Sequence, residues 1–339
     1  MNTRRTAAKI TIAGKDVTKD ISPFLSSVTY TDVLKGESDT ASINLHDENR
    51  LFIADWFPTR GDVADIIFTR QNWSSDTTVE ELPLNSFEID EISITSDNGG
   101  NKVSIKLNSI ANKSELRAVD KSKAWEKVKL SKIAKDIADS AGLELFFDTK
   151  EDPDIQRAEQ KEKSNLAFLN KLCSDNGLAL KISENKLIIF DEEKYEQQEP
   201  VKTLRYGDGN IKSFSGRATI SQIYKSCHVK YQHGKNAEKY ETTYTDDSKA
   251  DGMTLEVSEK VSSQAEAEKL AKKKLRDKNK DEIKVTLSVV GDFIYLAGNC
   301  ISLEGYGFFD GKYLIEKSTH NIGSGYGVSL EIRKCLNSY

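Results

Sequence analysis

Cys227, His228 and His233 form the group of residues that most resembles a metal site, because thiolate and imidazole are ligands that zinc prefers. Cys227 and His228 are neighbours in a segment with the alternation of a β-strand, so their side chains should point to opposite faces. A closed zinc site needs four ligands, and no fourth one follows at the spacing of a zinc finger. The sequence therefore favours ordinary strand residues here, and we predict neither a metal nor another cofactor.

Cys173 raises the question of a cysteine peptidase, since a histidine occurs downstream of it. A catalytic thiolate needs an exposed, electropositive setting. Cys173 instead lies on the apolar stripe of a predicted helix, near its end, which is typical of a core residue. No Gly-x-Ser-x-Gly, Walker A or His-Glu-x-x-His motif is present. We therefore assign no catalytic residue and expect a protein that is not an enzyme.

Two short motifs have better structural explanations than functional ones. The acidic segment 148–154 (DTKEDPD) places Lys150 and Pro153 where a calcium-binding EF-hand loop needs an oxygen ligand and glycine. We expect a solvated turn there. The tripeptide RGD at residues 60–62 leads directly into a predicted strand, so turn chemistry favours a structural turn over an adhesion motif.

A basic helix is predicted to start at Ser263, because Ser263 and Glu266 have the spacing of a capping box. The cations that we single out on it are Lys272, Lys273, Lys274 and Arg276. A solvated face is one explanation, since cations stabilise the C-terminal part of a helix. The other is an electrostatic contact with an acidic neighbouring subunit, or with DNA that passes through a channel.

The composition describes a folded chain of more than one domain. Its 339 residues exceed the usual size of a single hydrophobic core, so two or three domains are expected. Charged residues make up 30% of the chain, which indicates a lean core and some stability supplied by a partner. The net charge of -5 argues against a surface that binds nucleic acid throughout.

The cysteines and the apolar runs bear on the cellular compartment. The 4 cysteines are widely spaced and lack a Cys-x-x-Cys pair, which favours synthesis in a reducing cytoplasm. The N-terminal segment lacks the apolar core of a secretory signal. No stretch approaches the roughly 18 apolar residues of a membrane span, so we expect no membrane insertion.

Residues 9–110 have the alternation of β-strands joined by turns. The segment 98–100 (Asn-Gly-Gly) joins two alternating runs, which predicts a hairpin. Within the first run the apolar parity changes between Ile89 and Ile92, which predicts a β-bulge. We expect one antiparallel barrel or sandwich over this region.

A helix followed by a glycine and a strand occurs twice in the next part of the chain. The first copy has apolar residues at helical spacing, Ser131 as a candidate N-cap and Gly142 at its end. The second copy repeats the spacing and ends at Gly177. Two copies are too few for a solenoid, so we expect one small α/β domain.

These patterns predict an α+β chain, mostly β, with two β-rich regions that flank a small α/β domain of duplicated helix-strand units. The basic helix interrupts the second β-region. The predicted division is 1–111 for the first β-region, 112–196 for the α/β domain, 197–250 for the first part of the second β-region, 251–282 for an inserted helical segment and 283–339 for the last part of the second β-region.

The order of these elements resembles the phage late control gene D family, the baseplate hub proteins of contractile phage tails and related tailocins. The matching stretches are LSKIAKDIADSAGLEL at 130–145, SNLAFLNKLCSDNGLAL at 164–180, VGDFIYLAGNCISLEG at 290–305 and FDGKYLIEKSTHNIGSGYGVSLEI at 309–332. The resemblance covers nearly the whole chain and rests on the joint order of short motifs. It implies that the two β-regions are tube-like antiparallel β-barrel domains that flank the small α/β domain. It assigns barrel or turn roles to Gly298, Gly311, Tyr313, His320 and Gly325.

The resemblance implies a non-enzymatic baseplate hub of a contractile injection system. Three copies would form a homotrimeric, pseudo-six-fold ring that joins a hexameric tail tube to a trimeric spike. The implied partners are the chain itself, the tail tube protein, the spike protein and other baseplate proteins, with DNA passing through without sequence-specific binding. The implied place is the virion or tailocin particle, after synthesis in the bacterial cytoplasm. A peptidoglycan hydrolase of the tail and a carbohydrate-binding β-module are the alternatives.

Overall fold

A computed structural model describes residues 3–336 except 49, 53, 55, 74, 76, 99, 110–115, 117–119, 184 and 233–238. In these residues the chain is mostly β, with two barrels flanking a small α/β unit, so the predicted fold class is confirmed. Thirteen of the described strands belong to one continuous sheet that contains both barrels.

The first barrel is formed by the N-terminal strands. Its elements are β1 (Arg5–Ile12), β2 (Lys15–Asp16), α1 (Thr18–Ile21), β3 (Leu25–Val33), β4 (Thr40–His46), β5 (Val63–Gln71), β6 (Val79–Asp97) and β7 (Gly100–Asn108). The predicted hairpin is confirmed, because Asp97 pairs with Gly100, whereas Gly99 lies outside the described residues. The predicted bulge is confirmed as a register shift between Ile89 and Glu91.

The α/β unit follows. Its elements are β8 (Asp120–Lys129), α2 (Leu130–Ser140), β9 (Glu144–Asp148), β10 (Asp154–Ser164), α3 (Asn165–Asp175), β11 (Ala179–Ser183), β12 (Lys186–Phe190) and α4 (Glu192–Glu196). The predicted helix-glycine-strand repeat is confirmed: Gly142 and Gly177 follow α2 and α3 with φ of +62° and +70°. Glycine adopts this left-handed conformation without the steric cost that a side chain has.

The N-cap prediction for α2 is wrong. Ser131 lies inside the helix, which begins after Lys129. The amide and the hydroxyl of Ser131 both donate to the carboxylate of Asp152, at 3.1 and 2.6 Å. An acceptor from a distant loop therefore satisfies a free amide of the first turn of α2, and the Ser131 side chain donates to the same acceptor and does not cap the helix.

The rest of the chain forms the second barrel and a unit inserted into it. The elements are β13 (Lys202–Arg205), β14 (Ile211–Ala218), β15 (Tyr224–Gln232), β16 (Lys239–Thr245), β17 (Met253–Val257), α5 (Gln264–Asn279), β18 (Ile283–Val290), β19 (Cys300–Glu304), β20 (Gly311–Ile322) and β21 (Tyr326–Lys334). The predicted cap of α5 is confirmed, since the Ser263 hydroxyl accepts from the Glu266 amide at 3.1 Å.

The inserted unit is larger than the helical segment that the sequence indicated. β15, β16 and β17 form a separate three-stranded sheet, so β15 and β16 do not join the barrel to which residues 197–250 were assigned. One face of this sheet packs on α5 through Cys227, Val229, Ala267, Ala271 and Leu275, which share their own hydrophobic cluster. Alternating strands look alike in sequence whichever sheet they join, because alternation reports a covered face and not the partner.

The two barrels have the same strand order. Along the sheet the first reads β3-β4-β7-β6-β5-β1, and the second reads β14-β18-β21-β20-β19-β13. Each strand of the first barrel thus has a counterpart of the same rank in the second. One difference is that β1 pairs antiparallel with β5, whereas β13 pairs parallel with β19.

The counterpart strands also share their register. The register shifts lie between Leu25 and Ser27 in β3, Ile211 and Ser213 in β14, Ile89 and Glu91 in β6, and Ile315 and Lys317 in β20. Aligned on these bulges, Thr40 pairs with Asn108 in the first barrel as Lys284 pairs with Arg333 in the second. Over β3, β4, β7 and β6 and their counterparts, the second barrel therefore matches the first at the level of single residue pairs.

Candidate functional site

Direct strand pairing joins the two barrels. Val28–Val33 of β3 pairs antiparallel with Lys317–Ile322 of β20, and we call these two segments the seam. The hydroxyl oxygens of Thr31 and Thr319 lie 3.2 Å apart across it. Buried residues of both barrels form one hydrophobic cluster, so the pair of barrels shares a core.

His320 is a fully buried polar residue of the seam and lies opposite Tyr30. Its Nε2 donates to the carbonyl of Tyr295 at 2.8 Å, and its Nδ1 accepts from the hydroxyl of Tyr326 at 2.7 Å, which satisfies a neutral ring. Burial lowers the pKa of His320, which favours this neutral form. A side chain at Gly291 would place its Cβ 2.2 Å from the Tyr326 ring, so only glycine leaves room for this arrangement.

Gly298 forms a turn that has a counterpart in the first barrel. Its amide donates to the carbonyl of Ile315 at 3.0 Å, and its φ is +94°. The amide of Gly61 donates to the carbonyl of Ile89 at 2.9 Å, and its φ is +87°. Ile315 and Ile89 are counterparts, so the RGD segment is the first-barrel copy of the Ala-Gly-Asn turn. The predicted structural turn at 60–62 is confirmed.

The other residues singled out in the second barrel lie in its core and turns. Tyr313 is fully buried, and its hydroxyl donates to the carbonyl of Phe309 at 2.8 Å. Gly311 has φ of +129° at the start of β20. Gly325 lies in the β20–β21 turn, where its carbonyl accepts from the amide of Gly323 at 3.0 Å.

A buried ion pair ties the α/β unit to both barrels. The ammonium group of Lys181 on β11 lies 2.5 Å from Asp32 and 3.1 Å from Asp39 of the first barrel. The second carboxylate oxygen of Asp32 accepts from the amide of Ala297 in the second barrel, at 2.8 Å. Burial raises the pKa of Asp39 to about 6, although Lys181 opposes this shift.

A second buried ionic cluster surrounds Arg333 of β21, whose side chain is fully buried. Its guanidinium lies 2.8 Å from Glu192, 2.5 Å from Glu196 and 3.2 Å from Glu316. Burial alone would raise the pKa of Glu192, yet Lys35 and Arg333 lower it to about 2. Helix α4 is therefore fixed to the second barrel by charge pairing in which Arg333 and Glu196 are buried.

The basic helix contacts other parts of its own chain. Lys273 donates to the carbonyl of Asn176, Lys274 lies 2.6 Å from Glu259, and Arg276 lies 2.6 Å from Glu196. The Glu196 contact is buried and lies in the cluster around Arg333. Lys272, which is half-buried, differs in that no ion pair of the described residues includes it. Two of the four cations, Lys273 and Arg276, thus connect the inserted unit to the α/β unit, whereas Lys274 pairs within the inserted unit.

The candidate metal ligands do not converge. Cys227 is buried against α5, whereas His228 lies on the opposite face of the small sheet, between Glu241 at 3.0 Å and Glu256 at 2.7 Å. His233 lies outside the described residues. Over the described ranges, no group of three or more His, Cys, Asp or Glu residues is arranged to hold a metal ion. Hydrogen bonding to Glu256 raises the pKa of His228.

Cys173 is buried in the core of the α/β unit, and this burial raises the pKa of its thiol to about 12. A thiol with this pKa supplies very little thiolate at neutral pH. A cleft of about 350 Å³ opens between this unit and the loop after β3, and it is lined in part by Glu37, Ser38 and Asn170. Glu37 is the one carboxylate among its described lining residues, whereas glycoside hydrolysis generally uses a pair.

Sequence reasoning missed the two buried ionic clusters and the pairing of β3 with β20. Each of these contacts connects residues more than a hundred positions apart. The spacing of neighbouring residues in the sequence therefore cannot predict them. The signal that was available is the matched pair of bulges. The register shift near Ile89 in β6 has a counterpart near Ile315 in β20, and the sequence predicts only the shift in β6.

Comparison with protein families matches residues 116–333 to the YQBQ-like family, which is more than half of the chain. The chain belongs to this family. No curated protein matches the chain in sequence. In the described residues, no helix has both the length and the apolar character needed to cross a membrane.

Solved structures with a similar fold include tail proteins. The 43 kDa tail protein of prophage MuSo2 from Shewanella oneidensis has a TM-score of 0.75 and 14% identity, over 97% of this chain and 98% of that one. A tail protein from Neisseria meningitidis MC58 has a TM-score of 0.72 and 13% identity, over 97% of this chain and 96% of that one. The c3393 protein of E. coli, a component of the type VI secretion system, has a TM-score of 0.59 and 9% identity, over 99% of this chain and 78% of that one.

These likenesses show that the YQBQ-like chain has the fold of phage tail proteins along nearly its whole length. A fold at this level of identity does not fix a function. The narrower resemblance to the late control gene D family stays a prediction.

Proposed function

We propose that this protein is a structural component of a phage-type tail or related injection particle, where three copies form a baseplate hub ring. The observation that supports the proposal best is the duplication, because one chain holds two barrels with the same strand order and register. Three such chains offer six similar barrels around one axis. The shared fold with prophage tail proteins supports a role in a tail.

The proposed ring matches two symmetries. Its six barrels fit a hexameric tail tube on one side, and its three chains fit a trimeric spike on the other. The tube protein, the spike protein and other baseplate proteins are the proposed partners, and DNA passes through the channel without sequence-specific contacts. In this proposal the protein has a structural role and no catalytic one: it connects tube and spike through its shape and its contacts. Its location is the assembled virion or tailocin.

The proposed domains follow from this function. Residues 1–111 and the strands between 197 and 339 that pair in the large sheet form the ring barrels. Residues 112–196 form the α/β domain. Residues 224–279 act as one inserted unit, because they share a sheet and a core of their own.

The experiment is light scattering of the purified chain together with electron microscopy. We expect a homotrimer and a ring with three-fold symmetry and a six-lobed outline. A monomer at every concentration that binds neither tube nor spike protein contradicts the proposal. Clearing of purified cell wall in a zymogram would replace it with a hydrolase, and retention on glycans would replace it with a carbohydrate-binding module.

A further inference from the structure

Several strand edges of the large sheet lack a partner in the part of the chain that the structure describes, and two of them have counterparts that pair with each other. One of these two is the outer edge of β14, which pairs with β18 alone. The other is the end of β6, Glu91–Ser96, on the side opposite β7, because β5 pairs with β6 only as far as Glu88. Open edges carry free amide and carbonyl groups that can pair with another chain.

The seam shows what covers these same edges elsewhere in the molecule. β14 is the counterpart of β3, and the end of β6 is the counterpart of the end of β20. β3 and β20 pair with each other inside the chain. The two open edges are thus the counterparts of the two edges that form the seam.

We propose that β14 of one copy pairs antiparallel with the end of β6 of a second copy, in the register of the seam. The inference rests on the proposed ring and names the contact that builds it. Transferring the seam register through the counterpart strands places Glu91 opposite Thr219, Ser93 opposite Arg217 and Thr95 opposite Ser215.

Ile220, two residues after β14, fits this contact. Leu34 follows β3, is buried, and has its Cδ1 atom 3.5 Å from the place where a Cβ on Gly298 would lie. The counterpart of Leu34 is Ile220, which is 90% exposed. The counterpart of Gly298 is Gly61, and no described atom lies within 4 Å of its Cβ position. A second copy in the seam register brings Ile220 to this empty place.

The first barrel has a further uncovered apolar residue beside Gly61. Val63 is 45% exposed, whereas its counterpart Cys300 is fully buried in a cluster that includes Leu34. Ile220 of a second copy would cover Val63 as Leu34 helps to cover Cys300. Burial of two apolar side chains that are now exposed favours association.

The end of β6 also has residues that are less buried than their counterparts in the seam. Ile92 and Ile94 are half-buried, whereas their counterparts Ser318 and His320 are fully buried in the seam. On the polar face, the proposed register places the exposed Arg217 diagonally next to Glu91, which adds an attractive cross-strand pair. Apolar burial and charge therefore agree with the register.

The contact is head to tail, because each copy contributes β14 on one side and β6 on the other. A heterologous contact of this kind forms a ring if its rotation closes. Since it copies the seam, the step from one chain to the next equals the step between the two barrels of one chain. Every barrel in the ring then meets its neighbours through the same strands.

Cysteine cross-linking of the full chain tests the register. Ser93→Cys combined with Arg217→Cys reproduces the positions of Thr31 and Thr319, whose hydroxyl oxygens lie 3.2 Å apart in the seam. With oxidised glutathione we expect covalent dimers and trimers on a non-reducing gel and no larger species. The unmodified chain and each single variant, treated in parallel, should show none of them.

Two matched pairs are the controls. Thr31→Cys with Thr319→Cys should give a cross-link within one chain, which shows that seam geometry permits the bond. Ser93→Cys with Ser213→Cys keeps the face of β14 but moves the thiol four residues along it, and should not cross-link. Equal cross-linking of the Ser213 pair overturns the register.

The outcomes separate this inference from the proposed function. A trimer in solution that the Ser93 and Arg217 pair does not cross-link overturns the strand pairing and leaves the ring proposal standing. A monomer without cross-links overturns both.

A second variant tests the apolar contact without disturbing the fold. Ile220→Asp changes an exposed side chain, and we expect the dissociation constant of the trimer to rise by at least about tenfold. Met253→Asp changes a residue of the inserted unit that is 56% exposed, and should leave association unchanged. Equal association of the Ile220→Asp variant and the unmodified chain counts against the contact.

Discussion

The two barrels share a backbone plan and differ in the side chains that fill it. At the centre of the seam Tyr30 lies opposite His320, whereas the counterpart positions hold Gly216 and Ile94. Over β3, β4, β7 and β6 and their counterparts, the register and the bulges are nevertheless the same. This difference shows that alternation and bulges determine how these strands pair, while the side chains that lie opposite each other in the pairs can differ.

The largest contrast lies at the end of the last strand, where the second barrel has the buried Arg333 and the first has Asn108. Arg333→Met should destabilise the chain by about 3 kcal/mol or more, because it leaves Glu192 and Glu196 buried with fewer cations. Urea unfolding followed by circular dichroism measures the change.

Lys317→Met is the control for this prediction. Lys317 pairs with Glu331 at 3.8 Å on an exposed face, so its loss should cost less than about 1 kcal/mol. Equal losses for the two variants would mean that the buried cluster adds nothing beyond a surface pair.

The connection after β3 is a short loop held by Lys181, whereas the connection after β14 carries the inserted unit. The pKa of Asp39 in this loop is raised to about 6, above its value in an unfolded chain. The folded state therefore binds more protons between about pH 4 and 6, and this carboxyl makes stability fall as pH rises through that window.

Asp39→Asn should remove that slope, which is on the order of 2 kcal/mol between pH 4 and 7. Free energies of unfolding at these two pH values, for both proteins, give the difference, and the contributions of other titrating groups cancel in it. An identical pH dependence in the two proteins would contradict the assignment.

Tyr313 and Phe87 are counterparts in the two cores, and Tyr313 alone has a hydroxyl with a carbonyl acceptor. Tyr313→Phe should cost about 1 kcal/mol through the lost hydrogen bond. Phe87→Tyr should cost at least as much, since it places a hydroxyl in an apolar site. Thermal unfolding of both variants tests this, and a stabilised Phe87→Tyr variant would show that the first core holds a hidden acceptor.

The smallest effect is expected at Lys272 of α5. Lys272→Glu should change stability by less than about 0.5 kcal/mol and leave the oligomeric state intact, because Lys272 is in no ion pair of the described residues, whereas Lys269, Lys274 and Arg276 each are. Light scattering checks the assembly. A trimer lost on this single charge reversal would instead make the helix a contact between subunits.

Local chemistry made part of this fold predictable. The hairpin, the bulge in β6, the glycine ends of α2 and α3 and the cap of α5 all depend on residues a few positions apart. Ser131 was misjudged because its competitor, Asp152, comes from a distant loop. The insertion was misjudged because β15 alternates as a barrel strand does.

The matching strand order and register of the two barrels could not be predicted from the sequence, for a related reason. Counterpart positions hold unlike residues, as Tyr30 and Gly216 or Asn108 and Arg333 show, so no repeat is visible in the letters. Only the pairing of strands reveals it. The two ionic clusters depend in the same way on contacts that exist after folding.

The inserted unit leaves the second barrel at the place where the first has a six-residue loop, 34–39. In the proposed ring of three chains, this unit would occur at every other barrel. Barrels with and without an inserted unit would then alternate around the ring. A partner that contacts only the barrels would find the same surface every sixty degrees. A partner that contacts the inserted units would find the same surface every third of a turn. One polypeptide can therefore present both six-fold and three-fold spacing, because only one of its two barrels carries an inserted unit.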